Sequence, residues 1–446
     1  MARKSILIVG GGTAGWMTAL VLHKKYNITM IESPTVPTIG VGESTTETVM
    51  DALRQGGVDI NDFVKHTNAT PKYGVSFENW NDKPYFHAFG ENFLEKKFGD
   101  DLPEFLSRCH KAGKDIISLS PYTHMAEKGI EPVFGTDEEF WWDTALHWEA
   151  SKVPAYLKGF LENKITHIYE HVDDVQSDDS GITGVNGYTA DYYIDCTGGR
   201  RLLSSKLGIK WQSWTDKTPL DSAITYSAPT KPKTYFTTAY AMNCGWEWSI
   251  PLQDRINHGY VYSSKHSTRE EAIAEVKALR GDVEILADVR FEPGVLDNIA
   301  TKNMCSIGLS AHFIEPLEAT NIELTVIMAK EFDNAIETGT MEKLNDKCQE
   351  IIKEIQRFVL FHYSIPEKQG QFWEDIYQQY TQEDIVERKQ IYPWHPFNWY
   401  SVAQGINFSG ADEDLDIEID YLTTEFEVQR KVAEIERMAS KTRDLP

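Results

Sequence analysis

Cysteine is scarce in this chain, and what there is has no arrangement. Its five cysteines, Cys109, Cys196, Cys244, Cys305 and Cys348, show no CxxC spacing. An odd, scattered set argues against a disulfide framework and a zinc site, and for reduced thiols in a cytoplasmic compartment. Long apolar runs are lacking too, since no stretch approaches the roughly 18 residues of a membrane span. A strand expected from Ser5 leaves no room before it for a secretion signal. Positive charge is in deficit, with 44 basic against 68 acidic residues and a formal net charge of −24. No Lys/Arg block offsets it, so nucleic acid and anionic membrane surfaces are repelled and expected as partners of neither kind. The same field means that an anionic substrate must meet a local positive potential. Internal repeats and low-complexity tracts are absent as well. With 41% hydrophobic and 25% charged residues over 446 positions, the chain reads as globular, with room for two or three structural units.

What is present begins with Ser5-Ile-Leu-Ile-Val9, a short buried strand, followed at once by Gly10-Gly11-Gly12-Thr13-Ala14-Gly15-Trp16. Helical character resumes from Ala14 to about Tyr26, and Asn27 to Ile31 returns to strand. The unit closes on Glu32, about 20 residues past the middle of the glycine turn, where an acid can hold a ribose hydroxyl. A lone GxGxxG says little, but strand, turn, helix and acid in this order make a dinucleotide site. Gly10, Gly12 and Gly15 let backbone amides, with Thr13 and Ala14 beside them, approach a pyrophosphate at the helix N-terminus. Residues 45 to 110 read as helix mixed with aromatic loop, and 160 to 325 as mixed sheet. Helices are expected over Ala329–Ile336, Met341–Arg357, Trp373–Tyr380 and Glu425–Ser440. The fold class expected is α/β, a Rossmann-like βαβ unit with mixed sheet plus a helical unit, the chain crossing between them more than once. The boundaries read as 1–85 with 145–326 for the nucleotide unit, and 86–144 with 327–446 for the helical one.

The segment least explained by folding is Gly245-Trp246-Glu247-Trp248-Ser249-Ile250-Pro251. In an extended strand Trp246 and Trp248 point to one face, and Pro251 denies the ladder a donor and fixes the exit. WxWxIP together with GxGxxG is the paired signature of the flavin-dependent halogenases, and the chain resembles the tryptophan-halogenase branch of that family from Ile6 to about Gly405. Three further segments match: Val41-Gly42-Glu43-Ser44-Thr45 beside the flavin, Asp195-Cys196-Thr197-Gly198-Gly199 as the second flavoprotein turn, and Ile307-Gly308-Leu309-Ser310 near the ribityl chain. Each alone is a strand end with a glycine turn; in order they favour FAD. The chain has no second GxGxxG after a strand, so reduced FAD is expected from a separate flavin reductase.

The resemblance also implies the chemistry. Reduced flavin, O2 and halide give a hypohalous acid, which passes through an interior tunnel to a lysine near the substrate. The matching lysine is Lys72, in Pro71-Lys72-Tyr73-Gly74-Val75-Ser76-Phe77-Glu78-Asn79-Trp80, and the matching acid is Glu318, in Glu315-Pro316-Leu317-Glu318-Ala319-Thr320-Asn321. Lys72 would orient or carry the electrophilic halogen, and Glu318 would polarise the oxidant and take the ring proton. Read alone, Lys72 is a surface lysine and Glu318 a helix-start acid after Pro316. Trp246, Trp248, Ile250 and Pro251 would wall the flavin compartment; their plain reading is core packing. His87 and Phe89, in Tyr85-Phe86-His87-Ala88-Phe89-Gly90, are candidates to contact an aromatic substrate, although His87 alone reads equally as a structural histidine. Trp394, Phe397, Trp399 and Tyr400 fall where the family closes its pocket, and Trp399 is the candidate carried forward.

Two departures bear on specificity. Halide in the family is held by backbone amides of a Thr-Gly pair; here the pair is Thr320-Asn321, after Ala319. Asparagine tolerates positive φ, and its bulk predicts a pocket favouring bromide or iodide over chloride. The region from 360 to 395 is shorter than in tryptophan halogenases, so an electron-rich aromatic or indole is expected without free tryptophan being specified. The rival readings are a flavin-dependent aromatic hydroxylase and a flavin-binding protein acting through partners. A homo-oligomer is left open.

Overall fold

The computed structural model describes residues 3–36, 42–89, 92–131, 144–229, 234–365, 368–379, 394–407 and 418–443. Val41, Gly90 and Tyr380, named above, lie outside them. By internal contact the chain divides into two compact units. Met1–Ala69, Trp148–Thr218 and Phe291–Lys353 form the first; Thr70–His147, Pro219–Arg290 and Glu354–Pro446 form the second. The strands between 219 and 290, grouped with the nucleotide unit from sequence, fall in the second unit, because they ladder with 74–88.

The first unit is built on a six-stranded sheet in the order Ala300–Thr301, Met304–Ser306, Tyr192–Asp195, Ser5–Val9, Asn27–Glu32, Thr166–Tyr169. All neighbours are parallel except the edge pair Ala300–Thr301 with Met304–Ser306. Ser5–Val9 is nearly all buried, as a parallel strand covered on both faces must be. The helix Thr13–Leu22 buries almost every side chain, Trp16, Met17, Ala19, Leu20 and Leu22 among them, and packs on the helix Thr320–Thr338. It stops four residues short of the expected Tyr26, with His23 as its C-cap, and the Tyr26 hydroxyl donates to Asp333 at 2.8 Å. This is the α/β, Rossmann-like fold expected.

The second unit carries a seven-stranded sheet: Ala287–Arg290, Ser222–Pro229, Arg255–Tyr262, Gly245–Pro251, Thr237–Met242, Gly74–Glu78, Tyr85–Ala88. Only Thr237–Met242 with Gly74–Glu78 is parallel within it. Thr70–Lys72 pairs separately and antiparallel with Ala145–Glu149, setting Lys72 opposite Ala145 and Thr70 opposite His147. The strands between 70 and 88 correct the reading of this region as helix and loop; at three to five residues each they are too short for their period to stand out. A twelve-residue helix, Arg269–Arg280, also interrupts the stretch read as sheet, started by a Thr268/Glu271 capping box. The later helices are found where expected but run longer, as Thr320–Thr338, Met341–Phe361, Gln371–Gln379 and Glu418–Arg443. Among the described residues no helix is long and apolar enough to cross a membrane. All five cysteines are free thiols.

Candidate active site

In the first unit the glycine turn opens a cavity of about 580 Å³, lined by Gly10, Gly11, Gly12, Thr13, Ala14, Glu32, Glu43, Gly198, Gly308 and Asn321 among others. The turn works through absent side chains. Gly10 has φ +116°, and a Cβ there would enter the Cys196 carbonyl; one at Gly15 would enter the Gly10 carbonyl. Strand, turn and helix therefore approach as closely as backbones can. The helix Thr13–Leu22 starts at Gly12 with no side-chain cap and no acid in its first turn, which leaves its first amides and positive dipole end to an anion. A pyrophosphate fits that donor set, and Arg200 lines the same cavity.

Glu32 ends its strand in the cavity wall, where its carboxylate meets His167 Nε2 at 2.8 Å. Glu43, from the strand Gly42–Ser44, takes a hydrogen bond from the Trp148 indole N–H at 2.8 Å and a longer one from Thr13 Oγ at 3.5 Å, both on Oε2. Burial pushes its carboxyl up to about 7, against the pull of those two donors. Gly308, at φ +75°, lies so close to Ala14 that a Cβ would come within 2.7 Å of the alanine methyl. Ile307 does not line the cavity; it is fully buried and donates its N–H to Asp195 O at 2.9 Å, fastening the two strand ends. Gly15 and Ser44 likewise lie behind the lining. Asp195 itself organises the second turn, accepting from Thr197 N, Thr197 Oγ, Leu203 N and Ser204 N at 2.6–3.1 Å.

Glu318 is not the helix-start acid of the plain reading. Glu318 and Ala319 are both left-handed, at φ 65° and 58°, and the helix begins only at Thr320. Two consecutive non-glycine residues in that region are strained, and they turn the chain so that Glu318 is buried, at 2% exposure. Thr320 Oγ and Asn321 Oδ1 are buried without a partner among the described residues. The positive φ that asparagine tolerates falls on Ala319 instead, since Asn321 is within the helix.

In the second unit Lys72 is 0% exposed. Its amine lies 4.7 Å from the ring centre of Phe89, itself buried. Phe89 is brought there by its own N–H, which donates to Tyr73 O at 2.8 Å, while Tyr73 N donates to Tyr235 O at 2.7 Å. The residue after Lys72 is thus pinned through both its backbone N–H and its carbonyl. His147, opposite Thr70, is fully buried; burial and the Lys72 charge hold its imidazole well below the ordinary value. His87 is buried too, and its Nε2 accepts from Asn398 Nδ2 at 3.1 Å. Trp394, Phe358, His362 and Phe89 rings surround it at 5.5–6.5 Å. Trp399 stacks into the same apolar group, 5.0 Å from Phe358 and 5.4 Å from Phe361.

Trp246 and Trp248 share one face of their strand, ring centres 6.3 Å apart and ring planes inclined at 61°. Neither indole N–H has a partner among the described residues. Trp248 lies over Gly259 of the next strand, where a Cβ would collide with its six-membered ring. On the opposite face Glu247, fully buried, binds Arg280 Nε at 3.0 Å and Nη2 at 2.5 Å, and also receives the Tyr226 hydroxyl. Burial works against its charge, but the bonds from His258, Arg280 and Tyr226 outweigh it and hold the carboxyl below its ordinary value. Ile250 and Pro251 complete the buried strand. Sequence reasoning missed Trp148, His147 and the 170–173 loop that lines the nucleotide cavity. Trp148 and His147 carry no motif of their own, and their partners are set by strand register.

Fold, glycine turn and cavity define a dinucleotide-binding protein of Rossmann type. The tryptophan halogenase family model matches residues 5–403, and the chain belongs to that family. It is 29% identical over 507 residues, 98% of this chain and 97% of the relative, to 7-chloro-L-tryptophan 6-halogenase KtzR of Kutzneria sp. (strain 744). It is 30% identical over 421 residues, 82% and 78% of the two chains, to tryptophan 7-halogenase RebH of Lentzea aerocolonigenes. The solved tryptophan halogenase of Shewanella frigidimarina NCIMB 400 superposes with TM-score 0.82 at 25% identity, covering 99% of this chain and 95% of that one. The protein is thus a flavin-dependent halogenase, whose cofactor is FAD in its reduced form, with O2 and halide as co-substrates.

Proposed function

We propose that the enzyme halogenates an electron-rich aromatic ring of the indole class, using Lys72 to deliver the halogen and reduced FAD obtained from a separate reductase. The observation that carries this reading is the complete burial of Lys72 over the Phe89 ring. An ammonium loses much of its solvation there, so a lysine in such surroundings is a candidate for chemistry rather than for solubility.

The residues present fit FAD. Gly10, Gly12, Thr13 and Ala14 would hold the pyrophosphate through the helix amides, with Gly15 behind them allowing the close turn, and Glu32 would hold a ribose hydroxyl. Glu43, Gly198 and Gly308 would line the rest of the cofactor bed, with Gly42, Ser44 and Ile307 supporting them from behind. Bound reduced FAD supplies the two-electron oxidation of halide by O2. Thr320 and Asn321 would hold the halide by their helix-start amides, where the dipole favours an anion. The asparagine side chain favours bromide or iodide there.

Lys72 would hold the hypohalous acid by a hydrogen bond, or take its halogen onto nitrogen with release of water. The arene carbon then bonds the halogen, and the electron pair of the broken oxygen–halogen or nitrogen–halogen bond leaves with the departing group. Glu318 accepts the ring proton that restores aromaticity. Trp246, Trp248, Ile250 and Pro251 would exclude the substrate from the oxygen chemistry, and His87, Phe89 and Trp399 would pack against the arene.

The test is a panel of indoles, phenols and pyrroles, with indoles first because the relatives are named for tryptophan. Each is incubated with the protein, FAD, NADH, a separate reductase and bromide, with and without equimolar chloride. A bromine isotope doublet in the product, undiminished by chloride, is expected. Oxygenated product formed without halide would overturn the reading in favour of a hydroxylase, and no product from any arene in favour of a non-catalytic flavoprotein.

A further inference from the structure

Four residues near Lys72, none of them part of its assigned chemistry apart from the proline, form a continuous hydrogen-bond chain within the second unit. Thr70 Oγ lies 2.6 Å from Pro251 O and 3.1 Å from His147 Nδ1, and His147 Nε2 lies 2.9 Å from Thr237 Oγ. The direction of each bond follows from donor counting. A carbonyl can only accept, so the single hydroxyl proton of Thr70 goes to Pro251 O. Thr70 Oγ must then accept from His147, which puts the ring proton on Nδ1. Nε2 of the neutral ring is left as an acceptor, and Thr237 donates to it. Thr70, His147 and Thr237 are all buried, at 8%, 0% and 7% exposure, so water does not compete for these groups.

The chain links four strands, two laddered pairs that belong to separate sheets. Pro251 ends the tryptophan strand, Thr70 shares a strand with Lys72, His147 lies on its antiparallel partner and Thr237 starts the strand beside the tryptophans. Thr70 and Lys72 are two residues apart in an extended strand, so their side chains leave the same face. A hydroxyl fixed at Thr70 therefore fixes the face from which the lysine amine projects. Pro251 has no N–H of its own with which to be fastened, which leaves its carbonyl as the handle.

We infer that the Thr237–His147–Thr70–Pro251 relay is a positioning device that sets the Lys72 strand against the tryptophan strand, with Thr70 and His147 as positioning residues for the halogen transfer. The inference rests on the reading of Lys72 given above. Without the relay, oxidant is still made but is delivered less often to the arene, so the turnover constant falls while halide and arene affinities hold.

The experiment uses the full-length holoprotein with FAD, NADH, a separate reductase, bromide and the arene that is turned over best in the panel. T70V removes the hydroxyl at constant shape, T70S keeps it, T237V cuts the far end, and K72M removes the amine. The expected result for T70V and T237V is at least a tenfold loss of kcat, with a rise in peroxide released per product. KM for bromide and Kd for FAD should stay within twofold, and T70S should return to within about twofold of wild type. Wild-type kcat in T70V, failure of T70S to rescue, or a loss confined to KM would overturn the relay. Should T70V fail to fold, T237V against T237S gives the same decision. K72M that halogenates normally would instead remove the reading of Lys72, whereas an inactive K72M beside a normal T70V removes the relay alone.

Discussion

Glu43 shows how much a single side chain can owe to its wall. It is a half-buried carboxyl in the cofactor cavity, bonded to Trp148 and Thr13, with its ionisation pushed up to about 7 by burial. The folded state therefore holds a proton that the unfolded state has already lost between pH 4.5 and 7, and stability falls as pH rises through that window. The loss is at most about 3 kcal/mol, reached near pH 7 and constant above it. E43Q, which mimics the protonated carboxyl, should remove this slope and unfold at higher urea than wild type at pH 8. Equal urea midpoints of the two proteins at pH 8, or parallel pH profiles, would count against a protonated Glu43. The glutamate was legible in sequence through its glycine segment, but Trp148 was not. The same limit hid His147: its partners are 77 and 90 residues away and depend on the register of four strands.

At the scale of elements, the tryptophan strand is held from both faces. The helix Arg269–Arg280 sends Arg280 to the buried Glu247, directly behind the two indoles. Breaking a buried pair from one side leaves a charge with no compensation, which costs about 3 kcal/mol. R280M should lose roughly that much in urea unfolding, and R280M/E247Q should lose clearly less than the sum of the single changes. Additive losses would show that the two side chains do not form a unit. The strands and glycine turn of the nucleotide unit were legible because local pattern and cofactor geometry agree there. The strands around Lys72 were not, since they are three to five residues long, too short for a period to be read, and the one with Lys72 carries a proline. Nor could the left-handed pair Glu318-Ala319 be read, because neither residue favours that conformation and the surrounding fold must impose it.

At the scale of the whole molecule, a formal charge of −24 opposes the halide the enzyme must collect. Screening by an inert salt should ease that approach. Between about 10 and 150 mM ionic strength the Debye length shrinks from about 30 to 8 Å. KM for bromide should fall several-fold over that range in potassium sulfate, with kcat nearly constant; a KM that rises would mean that local positive potential governs capture. Acid acts on the molecule in the opposite sense to Glu43. His147 and His312 are buried and held neutral, the latter down to about 4. Their stability contribution is complete above about pH 6.5 and is lost as pH falls below it. The account as a whole turns on the amine of Lys72. K72M, assayed with reductase, FAD, bromide and a competent indole, should lose brominated product by at least about 10²-fold while still consuming O2 and releasing peroxide. Brominated indole formed by K72M at the wild-type rate would contradict it.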